Sequence, residues 1–180
     1  MAGQATGRAI APFFYLCQSS STSSTKLAQS PLQRIGDMQK PPETLVKVLF
    51  VCVGNCVRSQ MAEAIARHDC ADIIWAESAG VSPLGFIDTT TQAVLRERGV
   101  PFDGQFSKGL HSHKLRKPDV VINMSGIPGK SLFAEHEVED WTVRDPFGED
   151  IALHRAIFDD IEARVTLLAA RLRTQAESAG

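Results

Sequence analysis

Val46-Lys47-Val48-Leu49-Phe50-Val51 is apolar at all but one position and runs directly into Cys52. So dense a β-branched and aromatic run suits a strand buried on both faces, and such strands occur in parallel sheets clothed by helices. The next residues narrow the choice. A short loop containing Gly54 leads to Ser59, which stands where a helix N-cap would be, with Glu63 in the first turns. Met61, Ala62, Ala64, Ile65 and Ala66 then give a helix that is small or apolar on most sides. The rest of the chain repeats the alternation. Strands are expected at Ile73–Glu77, Asp119–Met124 and Trp141–Val143, and helices at Thr89–Arg98, near Ser131–His136 and at Ile151–Arg173. In the last, Ile157, Ile161, Val165, Leu168 and Leu172 follow helical spacing and form one apolar stripe. The expectation is an α/β fold in one domain, a parallel sheet with helices on both faces and a short glycine-containing loop between the first strand and first helix.

The first 36 residues differ from the rest. They hold Arg8, Lys26 and Arg34, no acidic residue, and the run Ser19-Ser20-Ser21-Thr22-Ser23-Ser24-Thr25. Such a stretch cannot supply a core, so residues 1–44 are expected to be a disordered extension and 45–180 the domain. Three readings of the extension stand. It is an organelle-targeting segment, basic and serine-rich; or a weak export signal over Ile10–Leu16, interrupted by Pro12; or, most simply, a stretch ahead of a natural start at Met38. Cys17 lies within it and is assigned no role. The four cysteines are too sparse for a secreted disulfide framework, which favours a reducing, cytoplasmic setting. A net charge of −2 gives no reason to expect nucleic acid as a partner, and no apolar run approaches a membrane span.

Cys52-Val53-Gly54-Asn55-Cys56-Val57-Arg58-Ser59 is the segment that carries chemistry. A loop wrapped between a strand and a helix can turn consecutive N–H groups inward as an anion nest, and the helix N-terminus adds its positive end. Gly54 is expected to permit the backbone angles of that wrap. Cys52 then sits at the base of the nest, where donors that bind a phosphate from Val53 to Arg58 also favour its thiolate. Arg58 returns to the cup as a planar clamp for two phosphate oxygens. Ser59 is placed to hydrogen-bond the sulfur, and Asn55 to brace the loop. The competing view is a buried cysteine packing as a small hydrophobe; the strand, Gly54, Asn55, Ser59 and helix start together weigh against it.

Val51-Cys52-Val53-Gly54-Asn55-Cys56-Val57-Arg58-Ser59-Gln60-Met61-Ala62-Glu63-Ala64 resembles the opening of low-molecular-weight tyrosine phosphatases and their arsenate reductase relatives. The resemblance continues through Glu77-Ser78-Ala79-Gly80 to Asp145-Pro146 and covers about residues 46–175. It implies a four-stranded parallel sheet, Asp145 as general acid, and a hydrogen bond from Ser78 to Asn55. Val51 stands where the larger tyrosine phosphatases place a histidine before the nucleophile.

An acid on a mobile loop serves both halves of such a reaction, protonating the leaving oxygen and later activating water. In Asp145-Pro146-Phe147-Gly148, Pro146 forces Asp145 out of helical geometry and Gly148 frees the loop; alone, the pair also reads as a simple turn. Pocket walls are expected from Phe147 on one side and from Leu84 and Phe86 on the other. Leu84 stands where phosphotyrosine-selective relatives commonly carry tryptophan. Phe147-Gly148 replaces the tyrosines that the family often carries, which excludes regulation by phosphorylation there. His111 and His113 lie in a basic stretch with Lys108, Lys114, Arg116 and Lys117 and read as a solvated face, so no metal and no cofactor are expected.

Two activities fit this loop, because arsenate mimics phosphate. Thioredoxin-coupled arsenate reductases need two further cysteines after the third strand, and Asn123-Met124-Ser125-Gly126 through Trp141 contains none. The expectation is therefore a phosphomonoesterase acting on phosphotyrosine protein or a small phosphate monoester. A single-cysteine reductase using an external thiol is the alternative, with a non-catalytic phosphate sensor behind it. Cys56 is read either as a small loop residue or as the partner of a reversible disulfide with Cys52. The chain is expected to be a monomer or weak dimer.

Overall fold

The computed structural model describes residues 45–178. The expected N-terminal extension and Cys17 lie outside them. Strand and helix alternate from the first described residues: β1 (Val46–Cys52), α1 (Arg58–Asp69), β2 (Ile74–Gly80), α2 (Thr89–Glu97), β3 (Val120–Asn123), α3 (Gly129–Leu132), β4 (Glu137–Asp140) and α4 (Ile151–Ser178). The four strands pair in parallel in the order β2-β1-β3-β4. β1 is central, which accounts for its nearly continuous apolar run: Val48 to Cys52 are all buried.

The main core fills one face of the sheet. Phe50, Met61, Ile65, Leu95, Ile122, Phe158, Ile161 and Leu168 are among its members. The five residues of the α4 stripe, Ile157, Ile161, Val165, Leu168 and Leu172, are all buried, each such side chain contributing about 1.5–3 kcal/mol of burial. The opposite face, Leu49, Val51, Ala79 and Val121, is smaller and is covered by Leu110, Leu115 and Phe133 at the end of α3.

Four local expectations change. The last strand is Glu137–Asp140, not Trp141–Val143. As an edge strand it is acidic and partly exposed, so it lacks an apolar signature. Trp141 and Val143 are apolar because they fold back into the core, where the Trp141 ring meets Phe50 at 6.2 Å between centroids. The short helix begins at Gly129 rather than Ser131, where a Cβ would come 2.3 Å from Val138 Cγ1, so only glycine fits beside β4. Ser59 is not the N-cap of α1; the helix starts at Arg58 behind Val57, with no side-chain cap. The left-handed residue of the loop is Asn55 (φ 47°) and not Gly54.

Candidate active site

Cys52 ends β1 opposite Gly80, the last residue of β2. Beyond that pair the chain turns back through Val53–Val57 into α1. Its dipoles are sorted: the carbonyls of Cys52, Val53, Gly54 and Cys56 accept from the N–H groups of Val81, Ser82, Leu84 and Asp88 at 3.1, 2.9, 3.0 and 3.0 Å. The Asn55 carbonyl accepts from Gln60 Nε2 at 3.1 Å. Among the described residues, the N–H groups from Val53 through Ser59 have no acceptor. A loop with every carbonyl engaged outward and its N–H groups unclaimed is a site for an anion, reinforced by the first turn of α1.

Asn55 holds this shape from inside. Its Nδ2 donates to Ser59 Oγ at 2.9 Å and to Ser78 Oγ at 2.8 Å. Its Oδ1 accepts from the Lys108 N–H at 2.7 Å and from Gln60 Nε2 at 3.1 Å. Ser59 Oγ, which accepts from Asn55, also makes a hydrogen bond with Cys52 Sγ at 3.0 Å, and its proton is available to a Cys52 thiolate. Ser78 accepts from Asn55 and donates to the Glu63 carboxylate, Oε2, at 2.5 Å. Glu63 is buried and pairs with Arg67 (3.3 Å) and Lys108 (3.5 Å), so its charge is compensated.

Two glycines fit the loop closely. A Cβ on Gly54 would lie 3.0 Å from Cys56 Sγ and 3.1 Å from Leu84 Cδ1. A Cβ on Gly80 would lie 2.7 Å from the Val53 carbonyl oxygen and 2.9 Å from the Asn55 nitrogen. Gly80 is therefore part of the mould, a role the sequence alone does not reveal. Gln60, Glu63 and Lys108 were missed likewise; the one signal was a pair of polar residues on an otherwise small and apolar first helix.

Arg58 is almost fully buried. Its Nη1 donates to the carbonyls of Met124 (2.8 Å) and Val143 (3.2 Å), and its Nη2 to Asp145 Oδ2, an ion pair. Its Nε has no partner among the described residues. The two carbonyls fix one corner of the guanidinium and Asp145 engages Nη2, which leaves Nε as its unclaimed donor. Asp145 sits on the irregular segment after β4, its side chain about half exposed, and its Oδ1 accepts from the Phe147 N–H at 3.2 Å. The turn closes at Gly148, which has a positive φ of 81°. Beside Arg58 a cavity of about 310 Å³ runs between Met124–Pro128 and Asp140–Val143.

The remaining predicted residues separate. Leu84 lies against Gly54 and is half exposed, as is Phe147. Phe86 lines another groove, with Phe102 and Phe106. Cys56 is buried, and burial, followed by the negative potential of Cys52, Asp145 and Asp88, pushes its thiol up to about 12 against the relief from Arg58. It is thus a protonated thiol near neutral pH. Among the described residues no group of three or more His, Cys, Asp or Glu side chains could hold a metal ion, and no helix is long and apolar enough to cross a membrane.

A family model described as low molecular weight phosphotyrosine protein phosphatase matches residues 47–178. The chain belongs to that family. Its relatives divide by reaction. The glutaredoxin arsenate reductase of Synechocystis is 34% identical over 130 residues, covering 70% of this chain and 98% of that protein. The protein-arginine-phosphatase of Geobacillus stearothermophilus is 30% identical, over 72% of this chain and 97% of that one. A solved arsenate reductase in its phosphate-binding state superposes with a TM-score of 0.63 at 31% identity, covering 71% of this chain and 99% of the other. Family members are thus phosphatases or arsenate reductases, and this chain is an enzyme of that kind.

Proposed function

We propose that the chain hydrolyses phosphate monoesters, with phosphotyrosine protein as substrate, through a cysteinyl-phosphate intermediate. The observation that carries this reading is the pairing of Arg58 with Asp145 beside a loop of unclaimed N–H groups. It brings a clamp, an anion nest and a carboxyl group to the nucleophile. Cys52 Sγ attacks phosphorus as a thiolate, the S–P bond forms, and the P–O bond to the leaving group breaks as Asp145, protonated once the bound phosphate has taken its place on Arg58, gives that oxygen its proton. Water then attacks phosphorus and passes a proton to Asp145; the S–P bond breaks and the Cys52 thiolate leaves with its electron pair. Throughout, the loop N–H groups and the Arg58 guanidinium hold the equatorial oxygens, where charge is spread. Half-exposed Leu84 and Phe147 provide apolar area for an aromatic leaving group.

A second reading is favoured by the similarity to arsenate reductases. Here Cys52 displaces hydroxide from arsenate. An external thiol then attacks the cysteine sulfur, and arsenic leaves as arsenite with the electron pair of the S–As bond. A second thiol releases Cys52 from the mixed disulfide. This reading takes its electrons from external thiols, since Met124 to Trp141 holds no cysteine.

Turnover of p-nitrophenyl phosphate, phosphotyrosine peptide and phosphoarginine peptide by wild type and Cys52→Ser tests the proposal. Release of phosphate by wild type, lost by at least about 10⁴-fold in the variant, is expected. Arsenate-dependent oxidation of glutathione without phosphate-ester turnover would replace the first reading with the second.

A further inference from the structure

Three phenylalanines gather outside the catalytic loop. Phe86, Phe102 and Phe106 line a groove of about 430 Å³, and Phe86 and Phe106 are 51% and 40% exposed. The groove shares a wall with the phosphate loop. Ser107 Oγ donates to the Gly54 carbonyl at 3.2 Å and accepts from the Gly85 N–H at 3.1 Å, and both residues line the groove. Gln105, on the same lining, donates to Gln60 Oε1 at 2.9 Å.

Its rim is cationic. Lys108 Nζ and Lys114 Nζ stand 4.8 and 4.6 Å from the centroid of the Phe106 ring, and the Arg96 guanidinium 5.1 Å from that of Phe102. Lys108 is neutralised by Glu63, but Lys114 and Arg96 have no carboxylate partner among the described residues. Residues 104–118 contain four lysines and arginines, His111 and His113, and no acid; Asp103 is the acidic residue of the lining. An aromatic floor under unpaired cations is complementary to an acidic residue next to an aromatic one.

We infer that this groove docks the part of a phosphorylated protein substrate flanking the phosphorylated residue, and selects an acidic residue beside an aromatic one. The inference rests on the phosphatase reading of the neighbouring loop.

The test compares kcat/KM for p-nitrophenyl phosphate with that for two phosphotyrosine peptides, one flanked by Glu and Phe and the other by Lys and Ser. Wild type is expected to prefer the first peptide by about tenfold at low salt, a margin that shrinks as salt rises. Phe106→Ala and Lys114→Glu should each lower that preference by about three- to fivefold through KM. Their p-nitrophenyl phosphate turnover should stay at the wild-type level, which also shows that they fold. Equal use of both peptides by a wild type active on p-nitrophenyl phosphate would overturn the groove and leave the phosphatase reading intact. No phosphate-ester turnover at all would overturn the reading beneath it. A preference that depends on enzyme concentration would assign the groove to a second copy of the chain.

Discussion

Cys52 and Asp145, the proposed nucleophile and the proposed acid, are held in opposite ways. On the Cys52 side, Asn55, Ser59, Ser78 and Glu63 are all buried, and Asn55 makes hydrogen bonds at both ends of its amide. On the Asp145 side, one ion pair to Arg58 and one contact to the Phe147 N–H hold a half-exposed carboxylate in an irregular segment. A binding cradle works best when it needs no rearrangement, because its dipoles then face the developing charge at once. An acid that must meet first a leaving group and then a water gains from freedom. Arg58 joins the two regions, anchored by carbonyls on one nitrogen and sharing another with Asp145.

Substitutions can break that contrast. Asp145→Asn should leave binding of inorganic phosphate unchanged and lower kcat by about 10²–10⁴-fold, more for phenyl phosphate than for p-nitrophenyl phosphate. Equal losses with both leaving groups would mean that Asp145 positions Arg58 and does not deliver a proton. Arg58→Lys keeps the charge and discards the fork, so kcat/KM should fall by about 10²–10³-fold; a loss under tenfold would show that the backbone nest alone carries the anion.

Gly80→Ala tests the rigid side without touching a reacting group. A methyl 2.7 Å from the Val53 carbonyl must displace the loop, at about 1–3 kcal/mol of stability, read as a lower urea midpoint together with a lower kcat. Unchanged activity in a destabilised variant would show that the cup tolerates a shift. Near neutral pH the smallest effect is expected at Cys56. Its thiol is raised from 9.0 to about 12, so the folded chain keeps this proton more firmly than the unfolded one. The resulting stability is fully present below pH 9 and is lost as pH rises from there to about 12. Chemical unfolding of wild type should therefore weaken more steeply over that window than that of Cys56→Ala, while the two behave alike in their pH dependence near neutrality.

What the sequence made legible is what periodicity and local spacing encode. β1 and the α4 stripe read directly from apolar order, and Cys52, Asn55, Arg58 and Ser59 share one loop whose spacing already brings them together. Asp145 and Ser78 came into view through resemblance, and the structure places both beside that loop. The rest depends on contacts between distant segments. β4 hid because an acidic edge strand has no apolar signature, whereas Trp141 and Val143 imitated a strand by packing inward. Gly80 looked like an ordinary strand end until the loop crossed over it. Lys108, some 50 residues from Asn55, passed for one more surface cation.

The five carbonyls from Cys52 to Cys56 have a consequence for assembly. Four of them are held by N–H groups of Val81, Ser82, Leu84 and Asp88, so the Cys52–Arg58 loop is one half of a seam whose other half is encoded about thirty residues downstream. The loop cannot take its final form before β2 and the segment after it have docked, and it cannot loosen without them. Hydrogen exchange at those four distant amides is thus a gauge of the cup's integrity, readable without substrate and in variants with no activity left to measure.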